Sequence, residues 1–482
     1  MDTKAIRTKV LDLAVRGMLT RRRPDDGAAE DLLAQIQTEK QALIAAGRIK
    51  REKPLLEITE EEKPFEVPEQ WKWVRLGDYV EKVTDQVASG SFAALRENVV
   101  SKKTPDYAIM VKTADFSNGF TKNLTYTDKH GYEFLENSNL YGGELILSNV
   151  GSIGKCFIVP ELEYKMTLAP NAVMIRLTSN ELRDFLYYFI LSSYGQSELQ
   201  SITTGVAMQK FNKTELKTIL IPVPPLPEQL RIVANIDQIF TILDTIDTLQ
   251  SQYQDNLATL KSKIIDAGIQ GKLTEQLPED GNAEELYQQI QREKLALEKA
   301  GKIKKSKPLP PISDEEKPFD IPENWKWVKL GNVITLVSGT DFKPEDYNDS
   351  GIGMPYMTGA SNIENDKLII NRWTPCPRNI AYEGDLLLVC KGSGFGKLVI
   401  CNVSEAHIAR QFMSIRPYYG VDVNYVKAVM INSFQIIKEA GKGLIPGVDR
   451  DTVLNIPLPL PPIAEQKRIV AKQEELLTLC EG

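Results

Sequence analysis

The most regular hydrophobic pattern of the chain lies near its middle. Apolar side chains recur there at alternating steps of four and three residues, which is the heptad pattern of a helix that packs along a coiled-coil seam. The pattern predicts one long helix over residues 228–270, about 65 Å long at a rise of about 1.5 Å per residue. The seam positions are Ile232, Ile236, Ile239, Leu243, Ile246, Tyr253, Leu257, Leu260, Ile264 and Ala267, with Gln250 as the polar exception.

Two shorter amphipathic patterns share the same helical period. They predict helices over residues 29–46 and 283–300. A glycine just after the last periodic residue is the usual stop signal of a helix, because glycine adopts the left-handed backbone conformation at low cost. The glycines that we expect to end these helices and the long one are Gly47, Gly301 and Gly271.

The chain repeats itself internally. Residues 5–77 align without a gap to residues 259–331, at a constant offset of 254 residues. A proline-rich segment and the Glu-Gln-x-Arg-Ile-Val motif after it also recur, at an offset of 237 residues. Since the two offsets differ by 17, the intervening segments 78–220 and 332–457 have unequal lengths, and their sequences have diverged. The chain therefore contains two copies of one plan, with similar frames and different interiors.

The second copy of the long helix is divided between the two ends of the chain. Residues 465–480 match its beginning and residues 4–17 match its end. This division predicts a circular, pseudo-twofold arrangement in which the two termini meet beside the middle of the central helix.

Short β-type runs dominate the divergent segments. Each segment opens with Trp-Lys-Trp-Val, at Trp71 and Trp325, which reads as a half-buried strand. The tryptophans of these motifs lie in the shared frame, so we interpret them as core anchors. Later in each segment a strand runs into a glycine turn that ends in a lysine, over residues 143–155 and 384–397. The turn suits either a tight hairpin or a lysine directed at a DNA backbone, and it lacks the spacing of a P-loop.

Composition narrows the functional classes. At 482 residues with 42% hydrophobic residues, the chain is long enough for two or more folded domains. No run is long and apolar enough to cross a membrane, and the amino terminus lacks a secretory pattern, so we expect a cytoplasmic protein. Five scattered cysteines favour reduced thiols, and two histidines leave little material for a histidine-centred catalytic site. The net charge of −7 requires any nucleic-acid site to be local.

The duplicated order of these motifs resembles the DNA specificity subunit of a Type I restriction-modification system. Each segment is entered by Trp-Lys-Trp-Val-x-Leu-Gly, contains Gly-[Glu/Asp]-Leu-[Ile/Leu]-Leu before its glycine turn, and closes with a proline-rich strand and Glu-Gln-x-Arg-Ile-Val. The resemblance covers nearly the whole chain. It implies two target recognition domains that each read one half of a bipartite, asymmetric DNA site, with helices that set the spacing between the half-sites.

The resemblance also implies the partners and cofactors. The partners are double-stranded DNA, two methyltransferase subunits that dock on the helices, and restriction subunits. S-adenosylmethionine, ATP and magnesium would bind to partner subunits and not to this chain. The chain itself carries no amino-methyltransferase motif, G-x-S-x-G or H-E-x-x-H, so we expect a non-catalytic subunit of an adenine methyltransferase and endonuclease complex.

We therefore predict an α+β fold, with two β-rich target recognition domains separated by long antiparallel coiled-coil helices in the pseudo-twofold circular arrangement. The predicted segments are the N-terminal helices and tether at 1–63, the first recognition domain at 64–221, the central helix and tether at 222–317, the second recognition domain at 318–458 and the C-terminal helix at 459–482.

Candidate site residues follow from the glycine turns and the repeated motifs. For DNA contact we predict Lys112, Lys155, Gln209 and Lys210 in the first domain, and Lys391, Lys397, Lys442 and Arg450 in the second. For docking of partner subunits, or alternatively for capping of the helices, we predict Glu228, Gln229, Arg231, Glu465, Gln466 and Arg468.

One alternative function stays open on these residues. A coiled-coil scaffold that presents two β-rich modules to other proteins, without binding DNA, would also explain the long helix. It would fit the balanced charge of the two divergent segments as well. It explains less readily why only the interiors of the modules have diverged.

Overall fold

A computed structural model describes residues 1–205, 209–305, 307–392, 394–440 and 447–481, and for residues 435–440 the description is limited to the backbone. The chain divides into two compact units, Met1–Gln250 and Ser251–Gly482. They are called unit 1 and unit 2 below. The five segment boundaries expected from the sequence, and the meeting of the two termini, stay predictions.

Unit 1 combines short strands with helices of very different lengths. Its helices are α1 (Thr3–Val15), α2 (Ala29–Ala45), α3 (Leu76–Tyr79), α4 (Phe92–Asn98), α5 (Thr113–Ser117), α6 (Lys129–Phe134), α7 (Asn180–Leu191), α8 (Ser193–Ser201), α9 (Lys213–Leu216) and the first part of α10 (Leu226–Ile269). Its strands are β1 (Lys72–Arg75), β2 (Lys82–Asp85), β3 (Ala108–Val111), β4 (Tyr126–Thr127), β5 (Asn139–Leu140), β6 (Leu145–Ser148), β7 (Cys156–Ile158), β8 (Met166–Leu168), β9 (Ala172–Arg176) and β10 (Leu220–Val223).

Unit 2 holds the rest of α10 and a second set of elements on the same plan. Its further helices are α11 (Ala283–Lys299), α12 (Val423–Ala440), α13 (Arg450–Leu454) and α14 (Ile463–Leu479). Its strands are β11 (Lys326–Lys329), β12 (Ile334–Ser338), β13 (Met354–Met357), β14 (Ile363–Glu364), β15 (Lys367–Leu368), β16 (Trp373–Thr374), β17 (Ile380–Tyr382), β18 (Leu386–Val389), β19 (Leu398–Ile400), β20 (Glu405–Ile408), β21 (Phe412–Pro417) and β22 (Pro457–Leu460).

The strands of the two units form matching sheets. In unit 1 the antiparallel sheet has the order β2-β9-β6-β7, and a mixed sheet has the order β4-β3-β8-β5. The corresponding sheets of unit 2 are β12-β21-β18-β19 and β16-β13-β20-β17. In each unit the Trp-Lys-Trp strand pairs with the proline-rich strand, as β1 with β10 and β11 with β22. The predicted α+β class is confirmed.

The central strands of each antiparallel sheet are covered on both faces. In β6, Leu145 and Leu147 pack into the core shared with the helices, whereas Ile146 packs into the core shared with the mixed sheet. In β18, Leu386 and Leu387 divide between two cores in the same way. A strand that is buried on both faces needs an unbroken apolar run, which explains the Leu-Ile-Leu and Leu-Leu-Leu motifs.

Antiparallel helix pairs build the frame of each unit. In unit 1, Arg7 of α1 donates to Asp244 of α10 at 2.8 Å, while Val10 and Ala14 pack in a cluster with Ile232 further back along α10. Positions that ascend along α1 thus meet positions that descend along α10, so the pair is antiparallel.

The equivalent pair of unit 2 joins α14 to the last part of α10. The side-chain amide of Gln473 donates to the carbonyl of Ile265 at 3.2 Å, and Lys261 lies 3.3 Å from the carboxylate of Glu481. The predicted long helix is therefore confirmed, with α10 running from residue 226 to residue 269. Its seam is buried at Ile232 and Ile264 but exposed at Leu260 and Tyr253 in between.

Glycines end the helices as predicted. Gly47, Gly271 and Gly301 have φ values of +70°, +69° and +69°, the left-handed region in which a side chain would be strained. After α2, the amide of Arg48 donates to the carbonyl of Leu43 at 2.9 Å, which closes the last turn in a Schellman-type arrangement. Within the described residues, no helix is long and apolar enough to cross a membrane.

Candidate DNA interface

In unit 1 the predicted hairpin lies against the segment that carries the candidate residues Gln209 and Lys210. Strands β6 and β7 form an antiparallel hairpin whose connecting loop ends at the exposed Lys155. The amide of Gly151 in that loop donates to the carbonyl of Gln209 at 3.2 Å, and Val150 forms a β-bridge with Lys210. Gln209 and Lys210 are exposed. Two segments about 55 residues apart in sequence therefore place three of the candidate side chains along one loop cluster.

Unit 2 repeats this juxtaposition. The loop between β18 and β19 begins at Lys391 and ends at Lys397, and both residues are exposed. Lys391 forms a β-bridge with Gly447, and the amide of Val448 donates to the carbonyl of Cys390 at 3.0 Å. Lys442 lies outside the described residues. The hairpin alternative from the sequence is therefore confirmed in both units, while the contact of these lysines with DNA stays a prediction.

Lys112 and Arg450 already have partners inside their own units. The ammonium of Lys112 donates to the hydroxyl of Thr125 at 3.0 Å and lies 3.6 Å from the carboxylate of Asp115. The guanidinium of Arg450 donates to the carbonyl of Leu336 at 2.7 Å. A DNA phosphate would have to compete with these bonds, which makes both residues weaker candidates than the free hairpin lysines.

Arg450 has a counterpart in unit 1 that was not among the predicted residues. At the repeat offset of 237, Arg450 aligns with Lys213, and both residues open a short helix after a capping Asp or Asn side chain. The ammonium of Lys213 donates to the carboxylate of Asp85 at 2.8 Å. The repeat itself was the signal, because the same offset already related the proline-rich strands.

A second group of missed cations surrounds the mixed sheet of unit 2. Arg372 and Arg378 are exposed and lie over the rings of Tyr347 and Phe342, with guanidinium carbons 5.1 and 5.5 Å from the ring centroids. Arg410 is also exposed, since 73% of its side chain is accessible. These arginines come from loops that are distant in sequence, so no local motif could have identified them.

The residues predicted for docking or capping form a cluster of hydrogen bonds at the start of α10. This cluster, around Glu228, Gln229 and Arg231, is called the lock below. The carboxylate of Glu228 accepts hydrogen bonds from the indole of Trp71 at 2.8 Å and from the hydroxyl of Thr20 at 3.3 Å. Gln229 donates to the carbonyl of Pro224 at 2.8 Å and accepts from Tyr79 at 2.9 Å. Glu228 and Gln229 are almost fully buried.

The lock recurs at the start of α14 with the same chemistry. Glu465 accepts from the indole of Trp325 at 2.8 Å and from the side-chain amide of Gln276 at 2.6 Å. Gln466 donates to the carbonyl of Pro461 at 2.9 Å and accepts from the amide of Asp422 at 2.8 Å. Because the polar atoms of these buried side chains are satisfied internally, the geometry favours the structural alternative for Glu228, Gln229, Glu465 and Gln466.

An ion pair completes each lock. Arg231 donates to Asp26 at 2.6 Å, and Arg468 donates to Asp280 at 2.7 Å. Hydrogen bonding from the guanidinium lowers the pKa of each aspartate and raises the pKa of each arginine. By contrast, burial raises the pKa of Glu465, against the opposing effect of its hydrogen bonds. Arg231 and Arg468 remain partly exposed, so docking through these two side chains stays a prediction.

The tryptophans also fulfil the predicted structural role. Trp71, Trp73 and Trp325 are 3–7% exposed, and each packs edge-on or obliquely against another aromatic ring. Trp327 is only half-buried, although it occupies the position that matches Trp73. The prediction of core anchors is therefore confirmed for three of the four residues, and the fourth marks a difference between the units.

Comparison with known proteins matches most of the chain to one family. The family profile described as "Type I restriction modification DNA specificity domain" matches residues 68–253 and 322–481, that is, once in the first part of the chain and once in the second. The two matched regions are the two copies of the internal repeat.

Similar proteins extend over almost the entire chain. The specificity subunits of the Type I restriction enzymes EcoAI and EcoEI from Escherichia coli are 28% and 27% identical, and both alignments cover 99% of this chain and 89% of the relative. A solved structure titled "Structural basis underlying complex assembly and conformational transition of the type I R-M system" superimposes with a TM-score of 0.60 at 19% identity. It covers 87% of this chain and 93% of that one, and it supports the fold.

Proposed function

Because the chain belongs to the family of DNA specificity subunits of Type I restriction-modification systems, which recognise DNA for their complexes without catalysing the reaction, we propose that its two units each read one half of a bipartite, asymmetric DNA site. The predicted family is thus confirmed, and family membership favours DNA recognition over the scaffold alternative. The half-sites would be read by the two hairpin-loop clusters, around Lys155 in unit 1 and around Lys397 in unit 2.

One observation carries this proposal. The two units share their lock residues and their sheet orders, yet their exposed loop clusters differ in sequence around a common lysine-bearing hairpin. A constant frame with changed loops is what two readers of different sequences require, because the frame fixes loop position while loop side chains select bases. The long α10 would contribute the spacing between half-sites, as a rigid element of fixed length.

The partners proposed for the complex are two methyltransferase subunits and restriction subunits. S-adenosylmethionine, ATP and magnesium would be bound by those partners, and the reaction would be adenine methylation with endonuclease cleavage. This division of labour explains a further property of the chain. Its net charge of −7 is unsuited to tight binding of DNA by itself, so partner subunits would supply most of the phosphate contacts.

The test is an exchange of one recognition segment. Residues 78–220 are replaced by the matching segment of a relative with another target, and methylated adenines are mapped across the host genome at single-base resolution. We expect one half of the bipartite motif to change and the other half and the spacer length to remain. The matched control exchanges residues 332–457, which should change the opposite half.

Two outcomes would contradict the proposal. An unchanged methylation map together with altered protein partners would favour the scaffold alternative. Tight, sequence-specific DNA binding by the isolated chain, at nanomolar affinity, would contradict the assignment of most phosphate contacts to partner subunits.

A further inference from the structure

Unit 2 contains an apolar cavity of about 220 Å³ beside the half-buried Trp327. It is smaller than the pockets of about 300–1,000 Å³ that usually hold drug-sized ligands, so its size suits a single large side chain. Among the described residues that line it, Glu316 is the one with an ionisable side chain. The walls are formed by Phe319, Trp327, Val429, Asn432, Ser433 and Pro457, with further prolines and isoleucines.

The matching space in unit 1 is filled by a tyrosine. Trp71 packs edge-on against Phe185 at 6.3 Å and 83°, and Trp325 packs against Tyr425 at 6.4 Å and 83°. This shared contact aligns α7 with α12 at an offset of 240 residues. At this offset, Val429, which lines the cavity, corresponds to Phe189 of unit 1.

The tyrosine that fills the space is Tyr194, the second residue of α8. Its ring lies 5.2 Å from Phe65, 5.7 Å from Trp73 and 5.9 Å from Phe189, measured between centroids. These three residues are the counterparts of Phe319, Trp327 and Val429, which line the cavity in unit 2. Tyr194 therefore occupies in unit 1 the space that stays open in unit 2.

A break in the helix explains the difference. In unit 1, α7 ends at Leu191, and the hydroxyl of Ser192 caps α8 by accepting from the amide of Gly195 at 3.1 Å, which turns Tyr194 back toward Trp73. In unit 2, α12 continues without a break through the matching position, and Phe434 packs against Phe395 instead, at 5.7 Å.

The edge strand of unit 2 differs at the position that α8 contacts in unit 1. In unit 1, Glu198 of α8 accepts a hydrogen bond from the amide of Leu220 at 3.0 Å. Leu220 pairs with Arg75, and the residue at the same register in unit 2 is Pro457, opposite Lys329. Proline has no amide hydrogen, so the cavity leaves no donor unsatisfied at this position. The open cavity is thus compatible with a stable unit.

We propose that this cavity receives an aromatic side chain from a helix of a protein partner, which takes the place that Tyr194 has in unit 1. The charge around the cavity indicates a cation next to that aromatic residue. In unit 1, the guanidinium of Arg16 covers the ring of Phe65 at 4.8 Å, but the matching residue in unit 2 is the neutral Gln270. The acidic turn Asp314–Glu316 at the rim is already paired, since Glu316 lies 3.1 Å from Lys329 and Asp314 lies 2.6 Å from Lys317. The replacement of Arg16 by Gln270 is therefore what indicates the cation.

The partner is a methyltransferase subunit, and only this identity rests on the proposed function. Because the cavity is present in unit 2 and filled in unit 1, the two docked methyltransferase subunits would be inequivalent. One would insert an aromatic side chain flanked by lysine or arginine, and the other would meet Tyr194 already in place.

The first experiment uses p-cresol, which has the chemical structure of a tyrosine side chain. The full chain is labelled with 5-fluorotryptophan, and the fluorine signals of its five tryptophans are followed by NMR. We expect p-cresol to shift the Trp327 signal and to leave the Trp73 signal in place. Ser433→Phe, which fills the cavity, should abolish the shift, whereas Ser193→Phe at the exposed matching position of unit 1 should not. Tyr194→Ala should make the Trp73 signal responsive as well.

The second experiment measures the affinity of the methyltransferase subunit by calorimetry. We expect Ser433→Phe to weaken one of two binding events by about tenfold and Ser193→Phe to leave both unchanged. Equal affinities for wild type and Ser433→Phe would overturn the proposal. A p-cresol site that opens only in Phe434→Ala would identify the chain's own Phe434 as the occupant, and a Ser433→Phe effect confined to self-association would identify a second copy. Each of these results also overturns it. The exchange of residues 78–220 leaves unit 2 unchanged, so failure of the proposed function would be seen separately.

Discussion

Trp71 in unit 1 and Trp325 in unit 2 donate to buried glutamates at the same distance of 2.8 Å, whereas Trp73 is buried and its counterpart Trp327 is only partly buried. The first pair belongs to the lock that joins each recognition domain to its long helix. In the second pair, Trp73 packs against Tyr194 of the separate helix α8, whereas the matching residues of unit 2, as far as residue 440, continue α12. The two units therefore agree in the contacts of Trp71 and Trp325 and differ in the contacts of Trp73 and Trp327.

This difference separates two kinds of constraint. The lock buries charged and polar groups, and a buried carboxylate tolerates little change because any lost partner leaves an unsatisfied group in a medium of low polarity. The aromatic box of unit 1 consists of Phe65, Trp73, Phe189 and Tyr194. Such an apolar site can be filled by a side chain of the chain itself or by one of a partner at similar cost in free energy. The two units accordingly share the Trp–Glu and Arg–Asp contacts of the lock, although the second donor to the glutamate differs, being Thr20 in unit 1 and Gln276 in unit 2.

The largest expected effect concerns the lock. Asp26→Asn and Asp280→Asn each remove the charge that faces a guanidinium, and both should lower the free energy of unfolding by about 2–3 kcal/mol, because a buried aspartate loses its charge-assisted hydrogen bonds while the arginine left behind is partly exposed. Urea unfolding of the full chain measures this loss. Glu30→Gln, at an exposed pair with Lys72, is the matched control and should cost less than about 0.5 kcal/mol. A large loss in one unit only would refute the equivalence of the two locks.

The same aspartates predict a pH dependence. Their pKa values are lowered in the folded state by the arginines, so the stabilisation is present above the pKa of the unfolded chain and is lost as the pH falls through the lowered folded value. Unfolding followed from neutral pH down to strongly acidic pH should show this loss. The two asparagine variants should show a smaller slope in the acidic range, and an unchanged slope would contradict the assignment.

The second effect concerns the aromatic box. Tyr194→Ala opens a space in unit 1 that corresponds to the cavity of unit 2. We expect the free energy of unfolding to fall by about 2 kcal/mol, toward the low end for removal of a large side chain because Tyr194 is only partly buried. Added p-cresol should restore part of the loss by binding to the new cavity. Thermal unfolding with and without p-cresol tests this, and Tyr194→Phe, which keeps the ring, serves as the control.

A smaller effect distinguishes the units by pH near neutrality. His407 is fully buried in unit 2, where its Nε2 faces the carbonyl of Thr340 at 2.8 Å and its Nδ1 accepts from the amide of Asn379 at 3.2 Å. Burial lowers its pKa. Because protonation would remove the Nδ1 acceptor, unit 2 should lose stability as the pH falls below about 6.5, the usual histidine pKa.

The effect of His407 can be measured locally, because His407 lies in β20, which pairs with β13. Hydrogen exchange of the β13 and β20 amides between pH 7.5 and pH 5.5 reports the stability of the sheet around His407. Equal protection at both pH values, after correction for the intrinsic exchange rate, would show that protonation of His407 costs nothing.

Substitution of the hairpin lysines should have the smallest effect on stability. The effect expected there is on DNA binding. Lys155→Ala and Lys397→Ala are exposed changes that should alter the unfolding free energy by less than about 0.5 kcal/mol. If each lysine contacts a phosphate, DNA binding by the assembled complex should weaken uniformly across sequences, and the slope of log affinity against log salt should fall by roughly 1. Altered choice at one base position would instead make the lysine a base reader.

Much of the frame was predictable because its signals are local or repeated. Helix periodicity gave α2, α10 and α11 to within two residues at each end, and the glycines after them have the expected backbone conformation. The constant offset of 237 pairs Glu228 with Glu465, and both residues accept a hydrogen bond from the indole of a matching tryptophan. Their role was less predictable, since the motif Glu-Gln-x-Arg suits capping and docking equally well until the partners in space are known.

The candidate interface was predictable only in part. The glycine turns suited either a hairpin or a lysine directed at DNA, and the structure shows hairpins, with Gln209 and Lys210 beside the first of them. Arg372, Arg378 and Arg410 were missed because their loops converge only in the folded unit.

The sequence by itself determined that the chain has two copies of one plan, which periodic helices frame them, and to which family it belongs, because periodicity and repeated motifs are properties of the order of residues. Only the tertiary structure decided that the side chains of the Glu-Gln-x-Arg motifs are hydrogen-bonded within each unit. It also decided that Tyr194 fills a space in unit 1 whose counterpart in unit 2 is a cavity. Hydrogen bonding and packing depend on which distant side chains share a volume. A helix break of one residue, as at Ser192, is enough to change that volume.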